Sequence, residues 1–543
     1  MPLPLLERAT PDGLTFAFTR RSVSAVALRE RESPSTSTLP DADSRLAKPH
    51  SGADGRMPER APGPGEQYRF HFDMKKCIGC KCCVVACNEQ NGNPAAINWR
   101  RVGEIEGGWF PNATRSYLSM GCNHCLEPTC LSGCPVDAYT KDPVTGIVRH
   151  SADACIGCQY CTWNCSYGVP QYNADRGVVG KCDMCHGRLS LGQAPACVSA
   201  CPEGAIAIEI VNIADWRTAV ATTGINTGLP ADDSSLSTTR ITLPDNLPPN
   251  AKPRDITHVT PEHPHWPLVV MTVLTQMSVG AFTTIWLLQL LGASSGLGIA
   301  ALASLLVGAV ALNASTLHLG RPVHAYRALR MWRRSWLSRE VLLFTSFSLV
   351  AGLYAALLWL GGGTATAAPW ITGGMTTAIG ALTVVLGIAG VTASACIYRV
   401  PSRPAWNTRY TLLQFNLTGA LLGPLFAMAL GVGDQEWLAV ASASMAGAQF
   451  VLLAVRFLRC IASDSLELKG TARLLSTVFA KHLVARGILL AAGAIVLPLL
   501  VAPAVLALTL AIAAEILGRY LFFVSVVPKH MAAPYVPVES EAA

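Results

Sequence analysis

The second half of the chain consists of long apolar stretches that carry almost no charge. The first six cover residues 267–291, 296–317, 341–360, 369–397, 410–432 and 437–455. A seventh stretch, residues 487–527, is too long for one membrane crossing, which takes about 20 residues. Pro498 and Pro503 indicate a turn inside it, so the pattern predicts eight transmembrane helices.

The first half of the chain shows short strand-like alternation instead of long apolar stretches. Apolar and polar residues alternate most clearly over 68–72, and strand-like patterns recur within residues 97–120, 146–149 and 204–210. Short strands separated by turns predict a small domain of mixed strands and helices.

Polar and Pro-rich segments flank this small domain and define the organisation of the chain. Residues 1–66 lack sustained apolar periodicity and are rich in Pro, Ser, Arg, Asp and Gly, which predicts disorder. Residues 213–262 are polar and Pro-rich, which predicts an extended linker. The expected order is the disordered extension, a cysteine-rich domain at 67–212, the linker, a membrane domain at 263–528 and a tail at 529–543.

Composition indicates a membrane protein with more than one domain. The chain has 543 residues, of which 51% are hydrophobic and 14% are charged. This length exceeds that of one ordinary domain, and the low charge content is typical of membrane proteins. The net charge of +7 is modest for such a length, so we expect no nucleic-acid partner.

Sixteen of the 19 cysteines fall into four quartets between residues 77 and 201. The first and third quartets have the spacing C-x2-C-x2-C-x3-C, and the second and fourth end in C-x3-C-P. The quartets are Cys77, Cys80, Cys83 and Cys87; Cys122, Cys125, Cys130 and Cys134; Cys155, Cys158, Cys161 and Cys165; and Cys182, Cys185, Cys197 and Cys201. Because sixteen thiolates are the complement of four [4Fe-4S] clusters, we expect an α+β ferredoxin-like domain that holds four clusters.

Other roles fit the spacing of these cysteines less well. Structural zinc sites use two separated C-x2-C pairs rather than a tight run of four, and disulfides require an oxidising compartment. Zinc is the main alternative that the spacing leaves open. The cysteines outside the quartets, Cys82, Cys396 and Cys460, are expected to be small buried hydrophobic residues.

The basic residues of the loops indicate which side of the membrane the cysteine-rich domain occupies. Arginine and lysine are concentrated in the loops after the second, fourth and sixth predicted helices, on the side of that domain. Positive residues stay cytoplasmic, so we expect this domain at the cytoplasmic face of a bacterial inner membrane. The alternative is that the arginines bind the domain or a partner subunit, which holds for either side. The second loop carries Arg321, Arg327, Arg330, Arg333, Arg334 and Arg339.

Short motifs in both halves resemble one family. In the cysteine-rich half they are Cys122-Asn123-His124-Cys125, Cys155-Ile156-Gly157-Cys158-Gln159-Tyr160-Cys161, Pro170-Gln171-Tyr172-Asn173 and Lys181-Cys182-Asp183. In the membrane half they are His265-Trp266-Pro267-Leu268, His318-Leu319-Gly320-Arg321-Pro322, Ser335-Trp336-Leu337-Ser338-Arg339-Glu340 and Glu515-Ile516-Leu517-Gly518-Arg519. Residues 67–212 resemble the four-cluster iron–sulfur subunit of the dimethyl sulfoxide reductase family, and residues 265–527 resemble its membrane anchor. The chain therefore resembles a natural fusion of two subunits that are usually separate.

The resemblance implies a partner and an assignment of the cluster ligands. The partner is a separate catalytic subunit with a molybdenum bis-pterin cofactor, for which this sequence supplies no site. In the family, the first quartet is paired with the fourth and the second with the third. The implied ligand sets are Cys77, Cys80, Cys83 and Cys201; Cys87, Cys182, Cys185 and Cys197; Cys122, Cys125, Cys130 and Cys165; and Cys134, Cys155, Cys158 and Cys161.

Clusters at a membrane require a carrier of two electrons and two protons, and quinone from the membrane pool fits this requirement. His318 closes the second predicted helix and Glu340 opens the third. An ionisable residue at membrane depth is a functional candidate, and histidine titrates nearest neutral pH. The resemblance implies that His318 binds quinol, and Glu340 and Arg321 are candidates for the same site. The alternative is that His318 only caps its helix or pairs with Glu340. Glu515 and Arg519, one helical turn apart, are expected to form a structural ion pair.

The expected function is that of an electron-transfer and anchor subunit between quinone and a molybdenum enzyme, rather than that of the molybdenum catalyst itself. The main alternative is the same role in a sulfite dehydrogenase that faces the cytoplasm, because the loop charges favour that geometry. A redox-linked transporter is a weaker alternative. It would need a charged pathway, which we expect the helix interiors to lack.

Overall fold

A computed structural model describes residues 55–223, 235–254, 259–363, 374–500 and 503–529. These residues belong to one compact unit. Most of the expected disordered extension, and all but the first residue of the expected tail, lie outside the described residues. The described part is already packed before residue 66, because the Arg56 guanidinium donates to the carbonyl oxygens of Val198 and Cys201 at 3.3 Å each.

Ten short strands in the described residues form two three-stranded sheets and two hairpins. They are β1 (Glu66–Asp73), β2 (Arg101–Gly107), β3 (Thr114–Met120), β4 (Tyr139–Lys141), β5 (Val148–His150), β6 (Gln171–Asn173), β7 (Val178–Gly180), β8 (Ile206–Asn212), β9 (Arg240–Thr242) and β10 (Lys252–Pro253). Strand β1 is antiparallel to β8 and parallel to β9, while β2 lies between β3 and β10. Strands β4 and β5, and then β6 and β7, form the hairpins. Each of the stretches predicted from alternation contains a strand.

Five short helices connect these strands and carry or follow the cysteines. They are α1 (Cys82–Asn91), α2 (Thr129–Gly133), α3 (Tyr160–Asn164), α4 (His186–Leu189) and α5 (Ala196–Ser199). The residues before α1 and α3, Lys81 and Gln159, both adopt left-handed backbone with φ near 60°. This sharp turn after each C-x2-C pair lets the helix bring the next cysteine back beside the pair. The result is the expected ferredoxin-like domain.

The segment expected to be an extended linker is folded onto the cysteine-rich domain where the structure describes it. It begins with helix α6 (Ile213–Thr223), in which Trp216 Nε1 donates to the Ser237 carbonyl at 2.9 Å. Strands β9 and β10 then extend the two three-stranded sheets. The linker prediction is wrong for these residues, because a polar, Pro-rich sequence also suits short edge strands that pair through their backbone.

Eight helical segments among the described residues are long and apolar enough to span a membrane, as predicted. They are α7 (Trp266–Leu290), α8 (Leu297–Thr316), α9 (Trp336–Gly363), α10 (Gly374–Ile397), α11 (Arg409–Ala429), α12 (Gln435–Ala462), a seventh that runs from α14 (Ala480–Ala491) through a π-helical turn (Ala492–Val496) to α15 (Leu497–Leu499), and α16 (Ala504–Val524). Helix α13 (Leu466–Ser476) precedes the seventh span. That span begins at Ala480, seven residues before the apolar stretch, and the exposed Lys481 lies in its first turn.

Helix α7 is the most buried span and packs closely against α11. A Cβ atom at Gly280, Gly419 or Gly423 would collide with the backbone of the facing helix. Small residues at such positions let membrane helices approach closely, which gains dispersion contacts that larger side chains would prevent.

Candidate functional site

The quartet cysteines come together in four sets, and each set combines thiols from two quartets. Thiols of one set are close enough to interact electrostatically, as Cys77 does with Cys80, Cys83 and Cys201. The groups are set 1 (Cys77, Cys80, Cys83 and Cys201), set 2 (Cys87, Cys182, Cys185 and Cys197), set 3 (Cys122, Cys125, Cys130 and Cys165) and set 4 (Cys134, Cys155, Cys158 and Cys161). This grouping coincides with the ligand sets that the resemblance implies; the role of the cysteines as ligands stays a prediction.

The surroundings of the sulfur atoms fit iron–sulfur clusters. Burial raises the pKa of Cys87 and of Cys158 to about 12, so these thiols ionise at neutral pH only when a cation replaces the proton. Each of sets 1, 2 and 4 has a backbone N–H that donates to sulfur, for example Ala205 to Cys201 at 3.2 Å and Gly157 to Cys155 at 3.4 Å. Such donors stabilise the thiolates of clusters.

The geometry does not resemble a zinc site. No three His, Cys, Asp or Glu side chains among the described residues converge as ligands of a single metal ion would. A cubane cluster needs a wider arrangement, because each thiolate binds a different iron atom.

The three cysteines outside the quartets do not share one environment. Cys396 is buried as expected and Cys460 is half-buried. Cys82 is exposed, so the prediction of a buried hydrophobic role is wrong for it. The first turn of α1 directs Cys83 inward, which leaves the preceding residue at the surface.

Thiols of neighbouring sets lie close enough to interact electrostatically, in a definite order. Cys83 of set 1 interacts with Cys197 of set 2, and Cys182 of set 2 interacts with Cys122 of set 3. Tyr139 interacts with thiols of both set 3 and set 4. The four sets therefore form a line from set 1 to set 4.

Two buried cations lie along this line. Burial lowers the pKa of Arg100, but the thiolates of Cys197, Cys83, Cys182 and Cys87 raise it by more. Lys181 is also buried, and its Nζ lies 3.7 Å from Cys122 Sγ. Arg100 thus sits between sets 1 and 2, and Lys181 sits beside set 3. Both positive charges favour the more negative, reduced state of a neighbouring cluster.

Set 4 lies against the membrane domain through a contact of three glycines. A Cβ at Gly157, Gly177 or Gly320 would collide with the backbone of another member of the group. The Gly320 N–H donates to the Gly157 carbonyl at 3.4 Å. The motif that contains His318 therefore packs directly against the loop between two cysteines of set 4.

Arginines of the loop after α8 strengthen this contact. Arg321 donates to the Ala152 carbonyl at 2.8 Å, and Arg327 donates to the Asp153 carbonyl at 2.9 Å. Arg334 pairs with Asp137 at 2.8 Å. These arginines bind the cysteine-rich domain. This agrees with the alternative explanation of the basic loops, in which the arginines bind this domain on either side of the membrane.

His318 lies where the two domains meet. Its Nε2 is 3.3 Å from the Cys158 carbonyl oxygen, and its ring stacks on Trp163 with a centroid distance of 6.3 Å and an interplanar angle of 26°. The ring of His265 contacts both residues, at centroid distances of 5.2 Å from each. Burial lowers the pKa of His318, which favours the neutral imidazole.

Glu340 is buried close to this group of rings without touching His318. Its carboxylate hydrogen-bonds with Ser394 and lies near the hydroxyls of Tyr160 and Tyr398. Tyr398 in turn packs on Trp163, with ring centroids 5.7 Å apart. No contact among the described residues joins any two of the His318, Glu340 and Arg321 side chains, so the pairing of His318 with Glu340 does not occur.

A polar cavity of about 840 Å³ opens beside these rings. Trp163 and His265 form one wall, and Glu262, Glu467 and Lys529 lie elsewhere on its lining. Residues of both the cysteine-rich and the membrane domain line the cavity, so it lies between parts of the two domains.

Several residues of this region were not singled out from the sequence. Trp163 lies between two quartet cysteines. This position is a signal of a packing contact, because a large tryptophan ring there must pack against residues beyond the cluster. Tyr398 carries no chemical signal of its own, and Gly320 is notable in the sequence only as a member of the motif around His318. Their importance comes from contacts between segments that are distant in the chain.

The membrane bundle contains buried charged residues, whereas the prediction that its interior lacks a charged pathway stays a prediction. Arg486, Glu515 and Arg519 are each less than 5% exposed. The predicted ion pair between Glu515 and Arg519 is absent among the described residues. Glu515 accepts from Thr418 Oγ1 at 2.6 Å, and Arg519 donates to Gln276 Oε1 at 2.9 Å.

Two family models match the chain. A 4Fe-4S dicluster domain matches residues 113–210, and the DMSO reductase anchor subunit matches residues 261–524. The first covers much of the cysteine-rich domain, and the second covers the eight membrane spans.

Similar proteins agree with both models. An anaerobic dimethyl sulfoxide reductase polypeptide of Haemophilus influenzae is 39% identical over 177 residues, which are 31% of this chain and 85% of that protein. Its counterpart from Escherichia coli K12 is 41% identical over 144 residues, 25% of this chain and 70% of that protein. A sulfite dehydrogenase subunit from Allochromatium vinosum is 34% identical over 176 residues, 28% of this chain and 73% of that protein.

Proposed function

Because the chain belongs to the dimethyl sulfoxide reductase family, with the iron–sulfur and anchor subunits joined in one polypeptide, we propose that it carries electrons between membrane quinone and a separate molybdenum catalytic subunit. The observation that carries the proposal is the 3.3 Å contact between His318 Nε2 and the Cys158 carbonyl oxygen. It joins a candidate quinone ligand on the anchor to a cysteine of set 4.

In this proposal each cysteine set holds one [4Fe-4S] cluster, and the clusters supply one-electron transfer along the line from set 4 to set 1. Set 1 reaches the surface at Cys80, which is exposed. Ile78 and Val85 beside it are 58% and 61% exposed. An apolar surface next to the last set suits a docked catalytic subunit, which would cover it and shorten the path for electrons.

At the quinone end, His318 and Glu340 exchange the protons. The neutral His318 donates from Nε2 to the Cys158 carbonyl, which leaves Nδ1 as the acceptor for a quinol hydroxyl. Glu340 supplies a second buried proton site in the same region. Arg321 contributes by holding the loop of His318 against the Ala152 carbonyl, rather than by touching quinone.

The localisation that we propose is a bacterial inner membrane, with the cysteine-rich domain in the cytoplasm. Arg321, Arg327 and Arg334 already have contacts in the cysteine-rich domain, so the charge argument rests on other residues. Arg409, Lys469 and Lys481 of the later loops lie on the same side, and the positive-inside rule applies to them.

Sulfite oxidation is the second candidate function of the whole complex. Two observations favour it: the 34% identity to a sulfite dehydrogenase subunit and the cytoplasmic side indicated by the loops. Electrons would then run from the catalytic subunit to quinone, through the same cysteine sets in the opposite order.

The test is turnover by the purified membrane complex. The complex should oxidise quinol or reduce quinone, and a molybdenum subunit should co-purify with the chain. Reduction of S-oxides with quinol supports the first function, whereas quinone reduction with sulfite supports the second. Absence of both quinone reactions and of any partner contradicts the proposal.

A further inference from the structure

A small cavity lies within the membrane bundle, and neither His318 nor Trp163 lines it. Its volume is about 60 Å³, and helices α11, α12, α14 and α16 contribute to its walls. Its polar lining includes Arg456, Arg486, Gln414 and Gln449. A water molecule needs about 10–15 Å³ of such space, so the cavity has room for a polar group larger than one water molecule.

Hydrogen-bond donors in this cavity lack acceptors. Arg486 is 4% exposed and Gln449 is 3% exposed. Arg486 gives one long hydrogen bond to Gln449 Oε1, at 3.4 Å, while Arg486 Nε and Gln449 Nε2 have no partner. A buried donor without an acceptor is unfavourable by about 1–3 kcal/mol, and more for a charged group.

The positive charge of the cavity is not neutralised by the protein. Arg456 donates to Gln414 Oε1 and to the Ala405 carbonyl, which are both uncharged. No carboxylate among the described residues lies within 4.0 Å of the Arg456 or Arg486 nitrogens, and the buried Glu515 bonds to Thr418 instead. Two guanidinium groups in an apolar bundle need an anion, because an uncompensated buried charge is strongly destabilising.

Most of the remaining lining of the cavity is apolar, and part of it leads towards the outer surface of the bundle. Leu453, Phe457 and Leu483 line it and are half-buried. Val484 and Ile488 on the outside of α14 are 61% and 64% exposed. A molecule that binds here therefore has a negative head and apolar chains.

The depth of the arginines matches the membrane interface. Arg456 lies six residues before the end of α12, and Arg486 lies six residues after the start of α14. At 1.5 Å per residue, both lie about 9 Å inside the helix ends that face the cysteine-rich domain. Basic pockets between membrane helices at this level bind the head groups of anionic lipids.

From this cavity we infer that the protein binds one anionic phospholipid, with its phosphate between Arg456 and Arg486. The phosphate oxygens accept from Arg486 Nε and Gln449 Nε2, and the acyl chains run along Leu453 and Leu483 into the bilayer. The bound lipid supports the ring cluster next to the cysteine-rich domain, because Phe522 of the cavity wall stacks on Trp406 at 5.1 Å. Trp406 in turn contacts Trp163 at 5.6 Å.

The test compares the full-length chain in nanodiscs of phosphatidylcholine alone and in discs that contain cardiolipin. Wild type should melt about 2–4 °C higher with cardiolipin and should retain one lipid in native mass spectrometry. Arg486→Gln should bind cardiolipin about tenfold more weakly. Gly518→Ala should do the same without removing charge, because its Cβ would displace the Arg486 guanidinium.

The matched control is Arg473→Gln, which removes an exposed arginine of α13 outside the cavity. It should bind cardiolipin as wild type does. Three outcomes would overturn the inference. The first is that wild type melts at the same temperature in both kinds of disc. The others are that Arg486→Gln and Arg473→Gln retain cardiolipin equally, or that a quinone analogue displaces the lipid. The first outcome is measured on wild type alone, so the inference can be tested even if a variant folds poorly.

Discussion

The indole ring of Trp163 and the imidazole ring of His318 are stacked 6.3 Å apart across the boundary between the two domains. Trp163 belongs to α3, between two quartet cysteines, and His318 follows α8. The short helix α3 is thus inserted into the face of the membrane domain. In the proposed function, a quinone held at His318 would lie next to set 4 and would exchange electrons with it.

Replacement of His318 by alanine should abolish quinone turnover without loss of clusters. The variant loses the nitrogen that we propose as the acceptor of the quinol proton, and general acid–base groups contribute about 100-fold or more to rate. Quinone-linked activity and the EPR spectrum of the reduced protein measure the two effects. His482→Ala, at the same face of the membrane, should turn over normally; equal activity of both variants would refute the assignment.

Gly320→Ala should loosen the contact between the two domains. Its Cβ would overlap the Gly177 backbone, and such overpacking destabilises by about 1–3 kcal/mol. Amide exchange near residues 157 and 177 should rise, and quinone-linked electron transfer should slow while cluster content is unchanged. Gly187→Ala is the control, because nothing lies within 4 Å of its added Cβ. Unchanged exchange in Gly320→Ala would contradict the three-glycine contact.

Serine variants should separate the cysteine sets. Cys201→Ser should alter the same EPR signal as Cys80→Ser, although 120 residues lie between the two positions in the chain. Cys197→Ser should alter a different signal, because Cys197 belongs to set 2. Cys82→Ser should leave all signals intact, since Cys82 is exposed and outside every set. If Cys201→Ser resembles Cys197→Ser instead, the proposed division between sets 1 and 2 is wrong.

Arg100→Gln should lower the midpoint potentials of the clusters proposed for sets 1 and 2. Loss of a buried positive charge disfavours the reduced state, and a shift of about 60 mV corresponds to a tenfold change in a one-electron equilibrium. Redox titration followed by EPR measures it. The exposed Arg115→Gln should cause no such shift, and neither variant should affect set 4 strongly. Equal shifts in all four sets would indicate a general structural change.

The periodicity of the chain predicted the eight spans and the short strands because both depend on local patterns. The cysteine spacing predicted the kind of site for the same reason. The spacing did not predict which quartets combine, and that expectation came from the resemblance. In the fold, Cys201 lies beside Cys77 because strand β8 pairs with strand β1.

Contacts between distant segments could not be read from the sequence. Residues 213–262 looked like a linker, since composition reports polarity but not which strand an edge segment will join. Glu515 and Arg519 have the spacing of an ion pair, yet Thr418 and Gln276 from neighbouring helices bind them instead. At such places tertiary partners outweigh local spacing.

The short connection from β10 to α7 has a consequence for how tightly the two domains must bind. Only the residues between Pro253 and Trp266 separate them. A short tether holds two partners at an effective concentration in the millimolar range. Two unlinked subunits at cellular levels would need a far stronger interface to remain assembled. The glycine and arginine contacts between the two domains can therefore be weak in isolation. The electron path remains continuous because the two linked domains cannot diffuse apart if these contacts open.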